Sequence, residues 1–334
     1  MWLPDQLQVE RFLCRHSGAE NVRVDLAPGS TAGRCDLDVE FSGGQWSGRV
    51  PLTLISGAAE DHDLARDFAA RKAAFEAGVA TGEPMWLDDN GTALGLPGFV
   101  IRRVSGHLDL ETRRYDLGAE VGDAIVRRVG EELAKLHSLS PATFPGALAH
   151  WPVPGVDWAR LRAGTMRERL DGAGAIEPVF EWAINWFEDH APAITSPVLV
   201  HGDLRAARLC IEGEALTGID GFGASGWSDA MADLGQFCAR FWRGGAPERE
   251  AGGIGSRAAF YAGYRSDGRE VDEERVSFWE VFAPLWAGVD AIAGGGRQSD
   301  PAGDWSPAEW LKLRAIEAEY DLLMDITKLK ERAS

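Results

Sequence analysis

The sequence predicts an α+β fold with a small α/β lobe over residues 1–104 and a mainly helical lobe over residues 105–334. Apolar and polar residues alternate strictly from Arg34 to Phe41, which is typical of a half-buried strand. From about residue 117 the apolar residues recur at helical spacing instead. A short two-strand unit at 198–220 interrupts the helices, and a carboxylate follows each of its strands. A link near 103–106 separates the two patterns.

The small lobe is predicted to contain strands and one helix. The stretch NVRVDL predicts a strand that leads into a Gly/Ser loop, and RCDLDVEF with SGRVPLTLIS predicts a hairpin. The stretch AEDHDLARDFAARKAAFEAG predicts a helix, with Leu64, Phe68 and Phe75 at helical spacing and Gly78 at its end. PGFVIRRV predicts a further strand.

The second lobe is predicted to be built of helices. LGAEVGDAIVRRVGEELAKLHSLS places five apolar residues on one stripe, and IEPVFEWAINWFEDH gives a second helix. Further helices are predicted near 229–243, 256–266, 272–293 and 307–330.

Composition excludes several classes of partner and location. The formal net charge of -18 argues against nucleic acid and anionic membranes, because both need a basic surface. The acidic start of the chain lacks the apolar region of a signal peptide, and the longest apolar run is too short for a membrane span and contains Asp290. Cys35, Cys210 and Cys238 fall in apolar patterns and are predicted to be reduced core thiols of a cytoplasmic protein.

The stretch HGDLRAARLCIEGEALTGID carries the strongest chemical signal. A buried strand, VLV, runs directly into His201-Gly202-Asp203, and Asp220 follows seventeen residues after Asp203. Two carboxylates at the ends of neighbouring strands are typical of a phosphoryl-transfer site. Five residues after Asp203, where such a site needs an asparagine, the sequence has Arg208.

The order of these motifs resembles the aminoglycoside phosphotransferase family over nearly the whole chain. The motifs are His201-Gly202-Asp203, then Ile219-Asp220, then Trp227-Ser228-Asp229-Ala230 with Asp233-Leu234. The segment FYAGYRSDGREVDEERVSFWEVFAPLW is similar to the branch associated with acyl-CoA dehydrogenases. The resemblance implies a bilobal, protein-kinase-like fold, with ATP in the interlobe cleft and an acceptor hydroxyl held by the helical lobe.

The resemblance also implies roles for individual residues. Asp203 matches the catalytic aspartate, and Asp220 matches the aspartate that holds magnesium against the nucleotide phosphates. His201 is a catalytic candidate that shapes the turn, and Asp233 is expected to orient that loop through hydrogen bonds. Backbone N–H groups of the Ala27–Gly33 loop could cradle phosphates, which makes Gly29, Ser30 and Thr31 cofactor-binding candidates; an ordinary hairpin turn is the alternative.

Two parts of the family's site are replaced in this sequence. Arginine has no acceptor atom, so Arg208 cannot be the second magnesium ligand. The strand VPLTLIS has no lysine near Thr53, which leaves the helix acid Asp67 to be interpreted as a solvated charge. Losing one preorganised electrostatic group commonly costs about 100- to 1000-fold in rate. We therefore expect Mg-ATP phosphotransfer to be impaired, and we expect Arg208 to lie between Asp203 and Asp220, within salt-bridge distance of at least one of them, in place of a metal.

Three functions remain open from the sequence. The first is a degenerate pseudo-phosphotransferase that binds a small molecule or a protein partner, with ATP and magnesium binding doubtful. The second is an active ATP-dependent phosphotransferase that acts on a hydroxyl of an amphipathic small molecule, with Asp203 as base and with Arg102, Arg103 or Arg205 serving the phosphates. The third is non-phosphoryl chemistry that uses Asp203. Five aromatic residues are interpreted as core more readily than as an acceptor pocket: Trp227, Trp242, Phe278, Trp279 and Trp286.

Overall fold

A computed structural model of the protein describes residues 5–26, 33–44, 46–56, 64–106, 110, 116–144, 148, 151–153, 155, 158–295 and 307–333. Within these ranges the chain forms one five-stranded sheet, two small two-stranded sheets and nine helices of eight residues or more. The strands are β1 (Asn21–Leu26), β2 (Arg34–Ser42), β3 (Gly48–Ser56), β4 (Glu83–Asp88), β5 (Gly98–Arg102), β6 (Val198–Val200), β7 (Leu209–Glu212), β8 (Ala215–Ile219) and β9 (Gly226–Ser228). The helices are α1 (Gln6–Ser17), α2 (Leu64–Glu76), α3 (Ala119–Leu136), α4 (Trp158–Gly172), α5 (Pro178–His190), α6 (Met231–Cys238), α7 (Arg257–Arg265), α8 (Glu273–Gly295) and α9 (Pro307–Ala333).

The five-stranded sheet is antiparallel, in the order β1-β2-β3-β5-β4. The predicted hairpin is confirmed as β2 and β3, which pair from Arg34 opposite Ile55 to Phe41 opposite Gly48. Helix α1 packs its apolar residues Phe12 and Leu13 into a core with one set of strand side chains. Helix α2 packs through Leu64 on a second apolar cluster with Ile55, Phe99 and Ile101. The sheet therefore carries a helix on each face.

Helix α2 differs from its prediction in one respect. Its apolar stripe was expected to include Phe75, but that residue is 41% exposed. The helix instead buries small residues such as Ala70 and Ala73 together with two charged ones, Asp67 and Arg71. A helix that buries charged residues beside alanines is positioned by ion pairs as well as by apolar packing.

The largest core lies among the helices. Helices α3 and α7 pack together, as do α6 with α8 and α8 with α9. Three of the five aromatic residues named above, Trp227, Phe278 and Trp279, are buried in this core, as expected, whereas Trp242 and Trp286 are only partly buried against it. Among the described residues one helix, Glu273–Gly294, is long and apolar enough to cross a membrane, but 56% of its window is buried inside the structure. That burial is typical of a core helix.

The two small sheets lie in the 198–228 region. Strand β6 pairs with β9, and β7 forms a hairpin with β8. The two strands predicted to precede Asp203 and Asp220 are present as β6 and β8, but they belong to different sheets and do not pair with each other. The β7–β8 hairpin is hydrogen-bonded to the segment between α2 and β4, because the Ile219 N–H donates to the Ala80 carbonyl at 2.8 Å. The Thr217 hydroxyl also donates to the carbonyl of Ser105 at 2.5 Å. These bonds fix Asp220, at the end of β8, relative to the rest of the fold.

Candidate functional site

The His201-Gly202-Asp203 turn follows the buried strand β6. Gly202 has φ +80°, and a Cβ atom there would lie 2.2 Å from the Ala224 carbonyl oxygen, so only glycine fits. The His201 Nδ1 atom accepts the Asp203 N–H at 3.2 Å, which leaves Nε2–H to donate to the Asp220 carbonyl at 3.0 Å. Burial lowers the pKa of His201, so its ring is neutral. His201 is thus a buried side chain whose hydrogen bonds position the backbone of Asp203 and Asp220, and its role in catalysis stays a prediction from the resemblance.

Asp233, on helix α6, is hydrogen-bonded to the backbone of this turn. Its carboxylate accepts the backbone N–H groups of His201 at 2.6 Å and of Gly202 at 2.9 Å. It also contacts His137 Nε2 at 3.1 Å, and His137 contacts the Tyr264 hydroxyl at 2.9 Å. Burial would raise the pKa of Asp233, but these hydrogen bonds hold it below its ordinary value. The expectation that Asp233 orients the loop is confirmed.

Asp203 is bound by two arginines of its own loop. The Arg208 guanidinium donates from Nε and Nη2 to one oxygen, Oδ2, at 2.8 and 2.5 Å. Arg205 Nε lies 3.0 Å from the other oxygen, Oδ1. Burial would raise the pKa of Asp203, but the two guanidinium charges hold it below its ordinary value. The expected pairing of Arg208 with Asp203 is therefore present.

Arg208 is paired with Asp203 and not with Asp220, so it meets the expectation of a salt bridge to one acid but does not bridge both. Asp220 is occupied by two arginines from other elements: Arg71 Nη2 of α2 lies 2.5 Å from Oδ1, and Arg34 Nη1 of β2 contacts Oδ2. Burial would raise the pKa of Asp220, but Arg71 and Arg34 hold it far below its ordinary value. Asp203 and Asp220 with Arg34, Arg71, Arg205 and Arg208 form what we call the arginine–aspartate centre.

Backbone geometry brings the two halves of this centre together. The Asp220 N–H donates to the Arg208 carbonyl at 2.8 Å, so the β7–β8 ladder continues to these residues. Gly221 follows with φ +85°, and a Cβ atom there would lie 2.9 Å from Cδ of Arg208. The Arg208 side chain therefore packs directly on the Gly221 backbone, which directs it toward Asp203.

Asp67 is buried, so its interpretation as a solvated charge is wrong. Its carboxylate lies 3.4 Å from Nη2 of Arg71, one helical turn later, which also contacts Asp220. A cation from helix α2 thus occupies the place beside the helix acid that a strand lysine was expected to fill. At the strand position, Thr53 donates its hydroxyl to Asp36 at 2.6 Å. The Asp67–Arg71 spacing of four residues is a helix ion-pair signal that sequence reasoning missed.

The cations suggested for a relocated phosphate site are also engaged. Arg103 contacts Asp36 at 3.0 Å and Asp38 at 3.1 Å. Arg102 contacts Glu83 at 3.3 Å and lies over the Trp46 ring. Arg205, as described above, lies against Asp203. Gly29, Ser30 and Thr31 lie outside the described residues.

The residues of the centre do not fit a magnesium ion. Magnesium takes oxygen ligands in a near-octahedral arrangement, and both Asp220 oxygens already contact guanidinium groups. Arg208 stands at the second ligand position and offers no lone pair. Across the part of the chain that the structure describes, no three His, Cys, Asp or Glu side chains are grouped to hold a metal ion.

Comparison with known proteins agrees with this architecture. The chain is similar in fold to a protein from Ralstonia eutropha JMP134 described provisionally as an aminoglycoside phosphotransferase, with TM-score 0.71 and 17% identity over 97% of this chain and 99% of that one. APH(2")-IIa in complex with gentamicin gives TM-score 0.62 and 13% identity over 97% of each chain. The GDP complex of aminoglycoside 2'-phosphotransferase-IIIa gives TM-score 0.59 and 14% identity over 96% of this chain and 99% of that one.

Sequence comparison identifies the family directly. No curated protein sequence matches the chain. The model of the phosphotransferase enzyme family, APH, matches residues 39–273, which is more than half of the sequence and includes every residue of the candidate site from Asp67 to Asp233 but not Arg34. The α+β architecture with its five-stranded sheet agrees with that match. The chain therefore belongs to the APH phosphotransferase family and has its kinase-like fold.

Proposed function

We propose that this protein is a degenerate member of the family that binds a small-molecule ligand in the interlobe cleft and does not carry out magnesium-dependent phosphotransfer. One observation carries the proposal: Asp203 and Asp220 are both held in ion pairs with arginines. In the family's reaction the second of these acids holds the metal that neutralises the phosphates. Here guanidinium groups occupy that acid instead. The same proposal includes a less specific form, in which the degenerate protein binds a protein partner instead of a small molecule.

The state of Asp203 points the same way. A general base works best when its pKa lies near the operating pH, whereas Arg205 and Arg208 hold the pKa of Asp203 below its ordinary value. Each of its oxygens also already contacts a guanidinium group. An acceptor hydroxyl would have to displace one of these contacts before the proton could move.

An active phosphotransferase is the second candidate, favoured by the relocated cations. Arg34 and Arg71 place two positive charges beside Asp220, near the place where the strand lysine is missing. Related proteins have been crystallised with GDP and with gentamicin, so the fold accommodates a nucleotide and an acceptor. In this candidate function ATP is the donor, Asp203 is the base and the acceptor is a hydroxyl of an amphipathic molecule. Among the residues that the structure describes, the side-chain contacts of Asp203 are with Arg205 and Arg208, and they do not favour non-phosphoryl chemistry.

The domain organisation belongs to the proposal as well. We place the boundary between the lobes near Ser105, because residues 103–106 connect the sheet to the helical part and lie against the β7–β8 hairpin. The arginine–aspartate centre then draws Arg34 and Arg71 from the first lobe and Asp203, Arg205, Arg208 and Asp220 from the second. A cytoplasmic location remains a prediction from composition.

Isothermal titration calorimetry with ATP tests the proposal. We expect the wild-type protein to show no magnesium-dependent affinity in the micromolar range, because Asp220 is paired with two arginines. Arg208→Asn restores the missing ligand type but leaves Asp220 paired, so it should not gain magnesium-dependent binding either. Micromolar ATP binding by the wild-type protein that is lost in EDTA would refute the proposal and support the active phosphotransferase.

A further inference from the structure

Helix α9 carries a second stripe of apolar side chains on its solvent side. Its core side buries Ala318, Leu322 and Ile326, each 0% exposed. On the solvent side, large apolar residues recur at spacings of three, four and three residues and are between 42% and 60% exposed. We call them the solvent stripe of α9: Leu313, Ile316, Tyr320 and Leu323.

The spacing of the solvent stripe indicates packing against one other helix. Apolar residues at i, i+3, i+7 and i+10 occupy the a and d positions of a coiled coil, which form a narrow seam along one helix face. No other helix or strand that the structure describes has more than one exposed large apolar residue. Single apolar residues on a surface need no explanation, whereas a row of four on one helix marks an interaction surface.

The size of the solvent stripe fits the centre of a small interface. At about 200 Å² for each fully exposed large apolar residue, the four residues present about 400 Å² of surface. A stable interface buries about 800 Å² on each partner, with an apolar core and a polar rim. The solvent stripe therefore supplies about half of that area as the core, and the charged residues beside it supply the rim.

We infer that α9 packs in parallel on α9 of a second copy of this chain, around a twofold axis, to form a weak homodimer. In that arrangement each stripe residue faces its own equivalent, so apolar residues meet apolar residues along the whole stripe. The inference is independent of the proposed function, because α9 contributes no residue to the arginine–aspartate centre.

The charges beside the stripe favour the parallel arrangement. Lys312 directly precedes the stripe and Glu317 follows five residues later, which is the spacing at which charges pair across two parallel helices. Lys312 is exposed and makes no ion pair with any described residue, and Glu317 is 46% exposed although it also contacts Arg314. Each copy can therefore offer one cation and one carboxylate to the other.

The opposite orientation brings like charges together. Antiparallel helices that align all four stripe residues would place Glu317 near Glu317 of the second copy and Glu319 near its own equivalent, which is repulsive. The net charge of -18 opposes association only weakly at physiological salt, because exposed charges more than about 8 Å apart are screened. The charges at the stripe itself thus decide the orientation.

Sedimentation velocity on the full chain tests the inference. Between about 1 and 200 µM protein, we expect the wild type to dimerise with a dissociation constant of about 1–100 µM, as an interface at the small end of the stable range should. Ile316→Glu should weaken dimerisation at least about 10-fold, because it buries a charge in the middle of the stripe, and Leu313→Glu provides a second variant. Ile176→Glu is the matched control: Ile176 is 91% exposed and lies before helix α5, so this variant should dimerise like the wild type.

Charge reversal and cross-linking test the orientation. Lys312→Glu should weaken dimerisation about 3- to 10-fold, and adding Glu317→Lys should restore it by reversing the pair. Ile316→Cys should form a disulfide-linked dimer on mild oxidation, because equivalent residues face each other in a parallel pair. The wild type under the same oxidation controls for its own thiols, of which Cys14 is half-buried and the other three are buried.

Three outcomes would overturn the inference. The first is a wild-type protein that stays monomeric at about 200 µM, far above the expected dissociation constant. The second is dimerisation of Ile316→Glu and Leu313→Glu that is as strong as that of the wild type, which would place the interface elsewhere. The third is cross-linking of Ile316→Cys only in a mixture with Tyr320→Cys, which would show an antiparallel pair. Thermal unfolding of each variant, expected to match the wild type because the changed side chains are exposed, confirms that it is folded.

Discussion

Replacing Arg71 by methionine should cost far more stability than replacing Arg208 by asparagine, although each change removes an arginine from an aspartate. Arg71 is 0% exposed; its Nη2 lies 2.5 Å from Asp220, and its Nη1 donates to the Thr81 hydroxyl at 3.2 Å. The guanidinium also lies 5.2 Å from the Phe222 ring. Breaking a buried pair leaves a buried charge uncompensated, which costs about 3–5 kcal/mol.

Arg208 is in a different environment. Its side chain is 35% exposed, and Asp203 is 23% exposed and keeps Arg205 as a partner. Solvent screens such a pair, so the loss should be about 0–1 kcal/mol. Urea denaturation at pH 7 measures both changes in the free energy of unfolding. A cost for Arg71→Met below about 1.5 kcal/mol, or one no larger than that of Arg208→Asn, would refute the assignment of burial and pairing at Asp220.

The pH dependence gives a second readout of the same pair. An acid whose pKa is lower in the folded state stabilises the protein above its unfolded pKa of about 4, and this contribution is lost as the pH falls toward the folded value. Arg71 and Arg34 hold the folded pKa of Asp220 far below its ordinary value. The stability difference between wild type and Arg71→Met should therefore be constant at neutral pH and shrink below about pH 4. A difference that grows on acidification would contradict the pairing.

Two further changes test other parts of the structure. Gly221→Ala should displace the Arg208 side chain, because the new Cβ would lie 2.9–3.1 Å from its Cδ, Nε and Cζ atoms; Gly213→Ala, with φ +62° but nothing within 4 Å, controls for backbone strain, and crystal structures showing Arg208 unmoved in Gly221→Ala would refute this. Asp321→Asn should stabilise the protein by about 1–3 kcal/mol above pH 7 and by little at pH 4, because burial and Asp325 raise the pKa of Asp321 to about 6, so its charged form is unfavourable in the folded state. Equal stability of this variant and the wild type at pH 8 in urea denaturation would show that the Arg240 ion pair, at 3.2 Å, offsets the burial.

Sequence periodicity predicted the elements with strong apolar patterns and missed those with weaker ones. Strand β2 alternates with period two, and the β2–β3 hairpin was predicted almost to its ends. Helix α1 was missed, although it has an Asp5 cap, apolar residues at Val9, Phe12 and Leu13, and Gly18 in a left-handed conformation at its end. Strand β4 was missed because its residues are mostly half-buried and do not alternate.

The candidate site was predicted in its local part and not in its long-range part. The contact of Arg208 with Asp203 spans five residues of one loop, so sequence spacing sufficed to place it. The partners of Asp220 come from Arg34 and Arg71, 186 and 149 residues earlier in the chain, and spacing says nothing about such distances. The family pattern places a lysine on strand β3, whereas the cation beside the helix acid Asp67 is Arg71 of the same helix.

The distribution of the four arginines explains why the centre should not revert to a metal site by one substitution. Magnesium would bring two positive charges to Asp220 and its neighbours, and in this chain guanidinium groups from β2, α2 and the 205–208 loop already supply that charge. Replacing Arg208 by a residue with an oxygen ligand removes one guanidinium from the loop but leaves Arg34 and Arg71 paired with Asp220. A bound metal would then have to displace Arg71, which is fully buried between Asp67 and Asp220, so that its guanidinium has no access to solvent. The arginines from three separate elements therefore act together as a counter-charge to Asp203 and Asp220.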